Sequence, residues 1–182
     1  MKTRNEAEKL MKEHVSSDSL RKHMYAVEAI MRFYASKFGE DEDLFDITGL
    51  LHDMDYEKFP DKHPQVAISL LSDLGYDNRI MQAIDFHAKH NPKEFPTLLD
   101  KTLWASDEIS GFVTAVTLVR PNKRINEVEV SSVKKKMKDK AFAKSISRDD
   151  LLLGAEVLGL TLDDHIANVI SAMQGISDNL GL

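Results

Sequence analysis

Residues 20–34, LRKHMYAVEAIMRFY, set the architecture of the chain. At 3.6 residues per turn, Leu20, His23, Met24, Val27, Ile30, Met31 and Tyr34 fall on one stripe, the spacing of an amphipathic helix. Ser16–Ser19 supply a cap cluster ahead of it, and Gly39 closes a helix expected from Leu20 to Lys37. His23 lies in the middle of the apolar stripe. A lone histidine there is usually a core residue bonded to a backbone carbonyl, so His23 gains meaning only in company.

The same periodicity extends in both directions. It predicts helices over Asn5–Val15, Glu42–Leu51, Pro64–Leu74, Asn78–His90, Leu98–Val119, Ser131–Phe142 and Arg148–Leu158. A last helix runs from Thr161, with Asp164 as its capping partner, to Asn179. The one alternating stretch, Ile125–Val130, is short and loop-like, and Pro60 and Pro64 bracket a loop. The fold class is all-α. No repeat or linker divides the chain, so residues 1–182 read as one domain.

Composition narrows the chemistry. There is no cysteine, which excludes disulfides, iron–sulfur clusters and thiol nucleophiles, so any metal is held by imidazole and carboxylate. The sequence has no glycine-rich phosphate loop and no His–Glu–x–x–His peptidase spacing. Ser106 and Ser110 flank Asp107 without the glycine elbow of a serine nucleophile, and Trp104 reads as core rather than as a stacking platform. No apolar run reaches transmembrane length and the start is charged, so a cytoplasmic protein with no membrane contact is expected. The net charge is −6, which disfavours sequence-specific or non-specific nucleic-acid binding. Between Arg120 and Arg148, ten Lys/Arg face three acids, leaving the remainder of the chain at −13. That basic segment is either a solvated face or a greeting surface for a small anion, with Lys134, Lys135 and Lys136 as the candidates.

His87 stands, like His23, on an apolar stripe, after Ile80 and Ile84. Asp107 sits in a helix with few other charges. The neighbours His52 and Asp53 end the third helix, and both can face one ion only if the helix stops there, because successive helical residues diverge by about 100°. Each of His23, His52, Asp53, His87 and Asp107 alone has an ordinary structural explanation. Together they describe ligands converging from several helices on a metal ion, which offsets the cost of turning such groups inward.

The order and surroundings of these residues, "LRKHMYAVEAIM", "GLLHDMDYEKFPDKHP" and "LWASDEISG", resemble the HD-domain superfamily of metal-dependent phosphohydrolases, HDIG-type hydrolases among them. The likeness covers about residues 20–111, the metal-site core, while the basic and C-terminal helices of 121–182 carry no matching motif. It implies an HD-type helical bundle with a metal centre in its core. His23, His52, Asp53 and Asp107 would hold one divalent ion, His63 and His87 a second, with Asp53 bridging; Mn, Fe, Ni, Co and Zn are all compatible. Metal-activated hydroxide would then cleave a phosphomonoester, phosphodiester or phosphoanhydride of a small substrate, a nucleotide foremost. The catalytic set would be His52 and Asp53, with Lys58 meeting a substrate phosphate. Asp55 or Glu57 would orient an imidazole, and His90 is a peripheral substrate contact. His14 and His165 lie outside the cluster and are expected at the surface or as caps. Two other readings stay open: an HD module that binds a ligand without turnover, and a di-iron oxygenase. A homodimer is compatible with the sequence.

Overall fold

A computed structural model describes residues 2–88 and 94–182. Among these residues ten α-helices follow in order: α1 (Arg4–His14), α2 (Asp18–Phe38), α3 (Glu42–Leu51), α4 (Gln65–Asp73), α5 (Asn78–His87), α6 (Leu98–Leu118), α7 (Val130–Met137), α8 (Arg148–Val157), α9 (Leu162–Gln174) and α10 (Ser177–Leu180). Two short 3-10 turns, Pro60–Lys62 and Ile125–Glu127, interrupt the loops, and no strand occurs among the described residues. Among the described residues no helix is long and apolar enough to cross a membrane.

Local chemistry fixes the ends. Ser17 Oγ accepts the Leu20 amide at the start of α2, and Gly39, at φ 73°, closes it in the left-handed conformation that glycine reaches without strain. Thr97 and Asp100 form a reciprocal capping box at the start of α6. These two 21-residue helices are the axes of the molecule. Around one face of α2, Met24, Val27 and Met31 pack with Leu50, Leu51, Leu71, Ile80 and Ile84. On the other face, Ala26, Ile30 and Tyr34 pack with Ile109, Phe112, Val113, Ile166 and Val169. Each fully buried side chain of this kind contributes roughly 1.5–3 kcal/mol. His23 lies on the boundary between the two clusters, where α2 meets α3 and α6.

The crossing of α2 and α3 is unusually close. A Cβ at Gly49 would lie 2.9 Å from the Glu28 Cα, so only glycine permits this approach. Bidentate pairs tie α2 to its neighbours: Arg4 of α1 with Glu28, and Arg32 with the buried Asp46 of α3.

Three expectations require correction in the C-terminal half. The basic helix expected over Ser131–Phe142 stops at Met137. Beyond it, the Asp139, Phe142, Ala143 and Ile146 carbonyls converge on the Arg148 guanidinium, which competes with the helical hydrogen bonds they would otherwise accept. The last helix breaks at Gly175–Ile176 into α9 and α10. His165 is neither a surface nor a capping residue. It is fully buried, with Nδ1 2.6 Å from the Tyr34 hydroxyl and Nε2 3.1 Å from the Ala105 carbonyl. The carbonyl can only accept, so Nε2 carries the proton and Nδ1 accepts from Tyr34. His14 sits in the last turn of α1 against the Leu10 carbonyl.

Candidate metal centre

Helix ends deliver most of the site. The last carbonyls of a helix have no intrahelical donor, and two histidines use them. His52, the C-cap of α3, donates from Nδ1 to the Gly49 carbonyl at 2.8 Å. His87, the last residue of α5, donates from Nδ1 to the Ile84 carbonyl. The chain turns immediately after His52, through residues 52–58, so Asp53 swings to the same side as its neighbour. His63, in the loop before α4, donates from Nδ1 to Asp55 Oδ1 at 2.7 Å, and Asp55 Oδ2 accepts the Ala67 amide at 2.8 Å.

His23 comes from the middle of α2. Its Nδ1 lies 3.2 Å from Ser110 Oγ, and the Ser110 hydroxyl donates to the Asp107 carbonyl at 2.7 Å. With that proton committed, the serine oxygen accepts from Nδ1–H. All four imidazoles therefore carry a proton on Nδ1 and turn Nε2 inward, where a cation would take its lone pair.

The inward atoms crowd together. His23 Nε2 is 3.2 Å from His52 Nε2 and 3.0 Å from Asp107 Oδ1. Asp53 divides its oxygens: Oδ2 lies 3.8 and 3.7 Å from the Nε2 atoms of His23 and His52, while Oδ1 lies 3.4 and 3.5 Å from those of His63 and His87. Ligand atoms of His23, His52 and Asp107 all fall within 4.8 Å of one another, as do those of His52, Asp53 and His87. Without a cation, two nitrogens 3.2 Å apart can share a proton between them. They are, however, at the spacing of cis ligands, about 3 Å when each lies about 2.1 Å from one ion. The donor set thus fits a divalent cation of mixed nitrogen and oxygen preference.

The electrostatics agree. Burial alone would favour neutral groups. Even so, Asp53 and Asp107 outweigh it and raise His52 to about 9. Burial likewise works against the Asp107 charge, yet His23 and His52 hold that carboxyl well below the usual range, and Asp53 is lowered in the same way by His52 and His87. Asp53 and Asp107 thus stay ionised and draw in positive charge, whereas burial and the neighbouring Asp107 charge push Glu108 up to about 7.

A cavity of about 490 Å³ opens above these atoms. His23, Asp53, His63, His87 and Asp107 form its floor, and Tyr56, Trp104, Glu108, Gly111, Ile146 and Asp150 its walls. Trp104 is mostly buried in the core and shows one side to the cavity.

The structure brings His23, His52, Asp53, His63, His87, Asp107 and Asp55 together and leaves other candidates outside. Glu57 faces away: its Oε2 accepts the Ser16 and Ser17 amides, exposed donors at the start of α2. Lys58 reaches the Glu13 carbonyl at 3.3 Å instead of the cavity. Lys134 pairs with Asp163 at 2.6 Å, Lys136 lies over the Phe142 ring, and Lys135 is exposed on α7, which packs on α6 and α9 and lines no part of the cavity. His90 lies outside the described residues. Sequence reasoning missed Ser110 as a partner of His23, although its position three residues after Asp107 on one helix face was a usable signal. It also missed Glu108 and Asp150, and the latter arrives from α8 by tertiary packing alone.

No curated protein and no solved structure matches the chain. Residues 20–153 match the HD domain, a span that takes in every residue of the cavity floor and most of the packed bundle around it. The chain belongs to the HD domain family.

Proposed function

We propose that this protein is a metal-dependent phosphohydrolase acting on a phosphate ester or anhydride of a small substrate, with nucleotides as the first class to test. The observation that carries this reading is the convergence of four Nδ1-protonated imidazoles on Asp53 and Asp107, with each Asp53 oxygen facing a different pair of histidines. His23, His52, Asp53 and Asp107 would hold one divalent ion, and His63 and His87, with the other Asp53 oxygen, a second. A bound ion would supply a water of near-neutral pKa and offset charge at phosphorus.

The chain's own residues supply position. Gly49, Ile84, Asp55 and Ser110 each fix the orientation of one imidazole, so the donors are set before any ligand arrives. Asp53 ties the two halves of the floor together. The packed core beneath His52, which is wholly buried, excludes water from that side, and substrate would enter through the cavity.

Purified protein loaded with Mn²⁺ or Fe²⁺ should release phosphate from an aryl phosphate or from members of a nucleotide panel. His52→Ala and Asp53→Ala should abolish that release and lower bound metal while helical content stays near that of the wild type. Full activity after complete chelation would contradict the reading, and oxygen consumption with ferrous iron in place of phosphate release would redirect it to oxygen chemistry.

A further inference from the structure

The chain has eight glycines, and seven of them have a reason in the fold. Gly39, Gly75, Gly159 and Gly181 take positive φ, and Gly175 caps the end of α9. Gly49 and Gly154 lie at helix crossings, where a Cβ would come within 2.9 Å of the Glu28 backbone and 3.3 Å of the Ala105 backbone. Gly111 shares none of these. It sits in the interior of α6 without positive φ. Among the described residues, a Cβ there would meet only Ile146 Cδ1, at 3.7 Å, an ordinary van der Waals contact. Glycine weakens a helix interior relative to alanine, because it loses more backbone freedom on folding. Neither conformation nor packing asks for glycine at this position.

What borders Gly111 is the cavity. Trp104, Asp107, Glu108 and Gly111 follow at i, i+3, i+4 and i+7, one face of α6, and all four line the cavity. Gly111 thus lies one turn beyond Asp107, about 6 Å along the helix axis. Interior helical amides and carbonyls bond within the helix, so the bare strip at Gly111 offers carbon rather than hydrogen-bonding groups. Ile146, which also lines the cavity, adds aliphatic carbon beside it. Arg148 anchors that side of the wall, donating from Nη1 to the Ala143 and Ile146 carbonyls at 2.8 and 2.7 Å.

We infer that Gly111 determines substrate specificity: its missing side chain leaves room, one turn from Asp107, for a ring-bearing leaving group that packs on the α6 backbone and Ile146. This rests on the phosphohydrolase reading and names the part of the cavity that takes the leaving group. A carbon-rich ring, sugar or aryl, presents the uncharged face that bare backbone and an isoleucine methyl accept. A side chain at position 111 would stand where that ring lies. The helix is weaker here than alanine would make it, and the cavity is the larger for it.

Phenyl phosphate and inorganic phosphate test this on the Mn²⁺-loaded protein, since both would reach the floor and only the ester carries a leaving group. Gly111→Leu should lower kcat/KM for phenol release at least ~10-fold, while the inhibition constant of inorganic phosphate stays within about twofold of the wild type. Gly111→Ala should lower kcat/KM less, and in metal-free protein its urea midpoint should equal or exceed that of the wild type. An unchanged kcat/KM in Gly111→Leu would overturn the inference. So would a matching loss of phosphate inhibition, which would place the damage on the floor. A lowered midpoint in Gly111→Ala would do the same, because the space would then belong to packing. In each of these cases the wild type still cleaves phenyl phosphate, and the phosphohydrolase reading survives. If the wild type cleaves no ester, that reading fails and the inference with it.

Discussion

Ser110 links two site residues through a single oxygen: it donates to the Asp107 carbonyl and accepts from His23 Nδ1. On the proposed reading, Ser110→Ala removes the group that fixes the His23 tautomer, and metal should bind about 10–100-fold more weakly. Nitrogen-15 NMR of the His23 ring checks the cause: the wild type should show a protonated Nδ1, and the variant a mixture of tautomers. An unchanged ring spectrum would assign Ser110 to helix packing. His63 and His87 face the other Asp53 oxygen, so His63→Ala or His87→Ala should lower bound metal from about two ions per chain to about one under the two-ion arrangement. An unchanged count would leave a single ion at the His23 side. These residues differ in how legible they were. His23, His87 and Asp107 break an apolar pattern and so announce themselves. Glu57 and Lys58 were misplaced because a run of turns, unlike a helix, has no period from which a side chain's direction can be read.

Close helix crossings set the register of the site. At Gly49, a Cβ would meet the Glu28 backbone on α2, between the elements that carry His23 and His52. Gly49→Ala should therefore cost about 1–3 kcal/mol of stability in urea unfolding, as overpacking does. It should also weaken metal binding, because α2 can relieve the clash only by moving away from α3. A variant as stable as the wild type, with metal affinity intact, would show that the crossing has slack. Caps and periodicity made most helices readable from sequence, including both ends of α3. The exceptions have tertiary causes. The basic helix ends early because Arg148, eleven residues beyond Met137, collects the carbonyls of the following turn, and a single-sequence pattern does not register such a distant competitor.

Across the whole molecule, two apolar clusters share α2 and α6 is fastened to α9 through His165, which bridges the Tyr34 hydroxyl and the Ala105 carbonyl two residues before Asp107. Burial pushes His165 down to about 4, well under its ordinary value near 6.5. The unfolded chain therefore takes up a proton first. Stability from this group is complete above about pH 6.5 and is lost as pH falls toward 4, roughly 2 kcal/mol of it between pH 7 and 5. His165→Gln should lower stability at neutral pH and flatten that slope relative to the wild type in metal-free protein. Parallel pH profiles would deny His165 this role. Nothing in the sequence marked His165 as different from His14, since its partners lie 131 and 60 residues away. Activity on the proposed reading requires cations on the floor of the cavity. Anomalous diffraction from Mn²⁺-soaked crystals should place one peak among His23, His52, Asp53 and Asp107, and a second among Asp53, His63 and His87. Fully occupied soaks with no anomalous peak at these atoms, or with manganese only elsewhere on the surface, would contradict it.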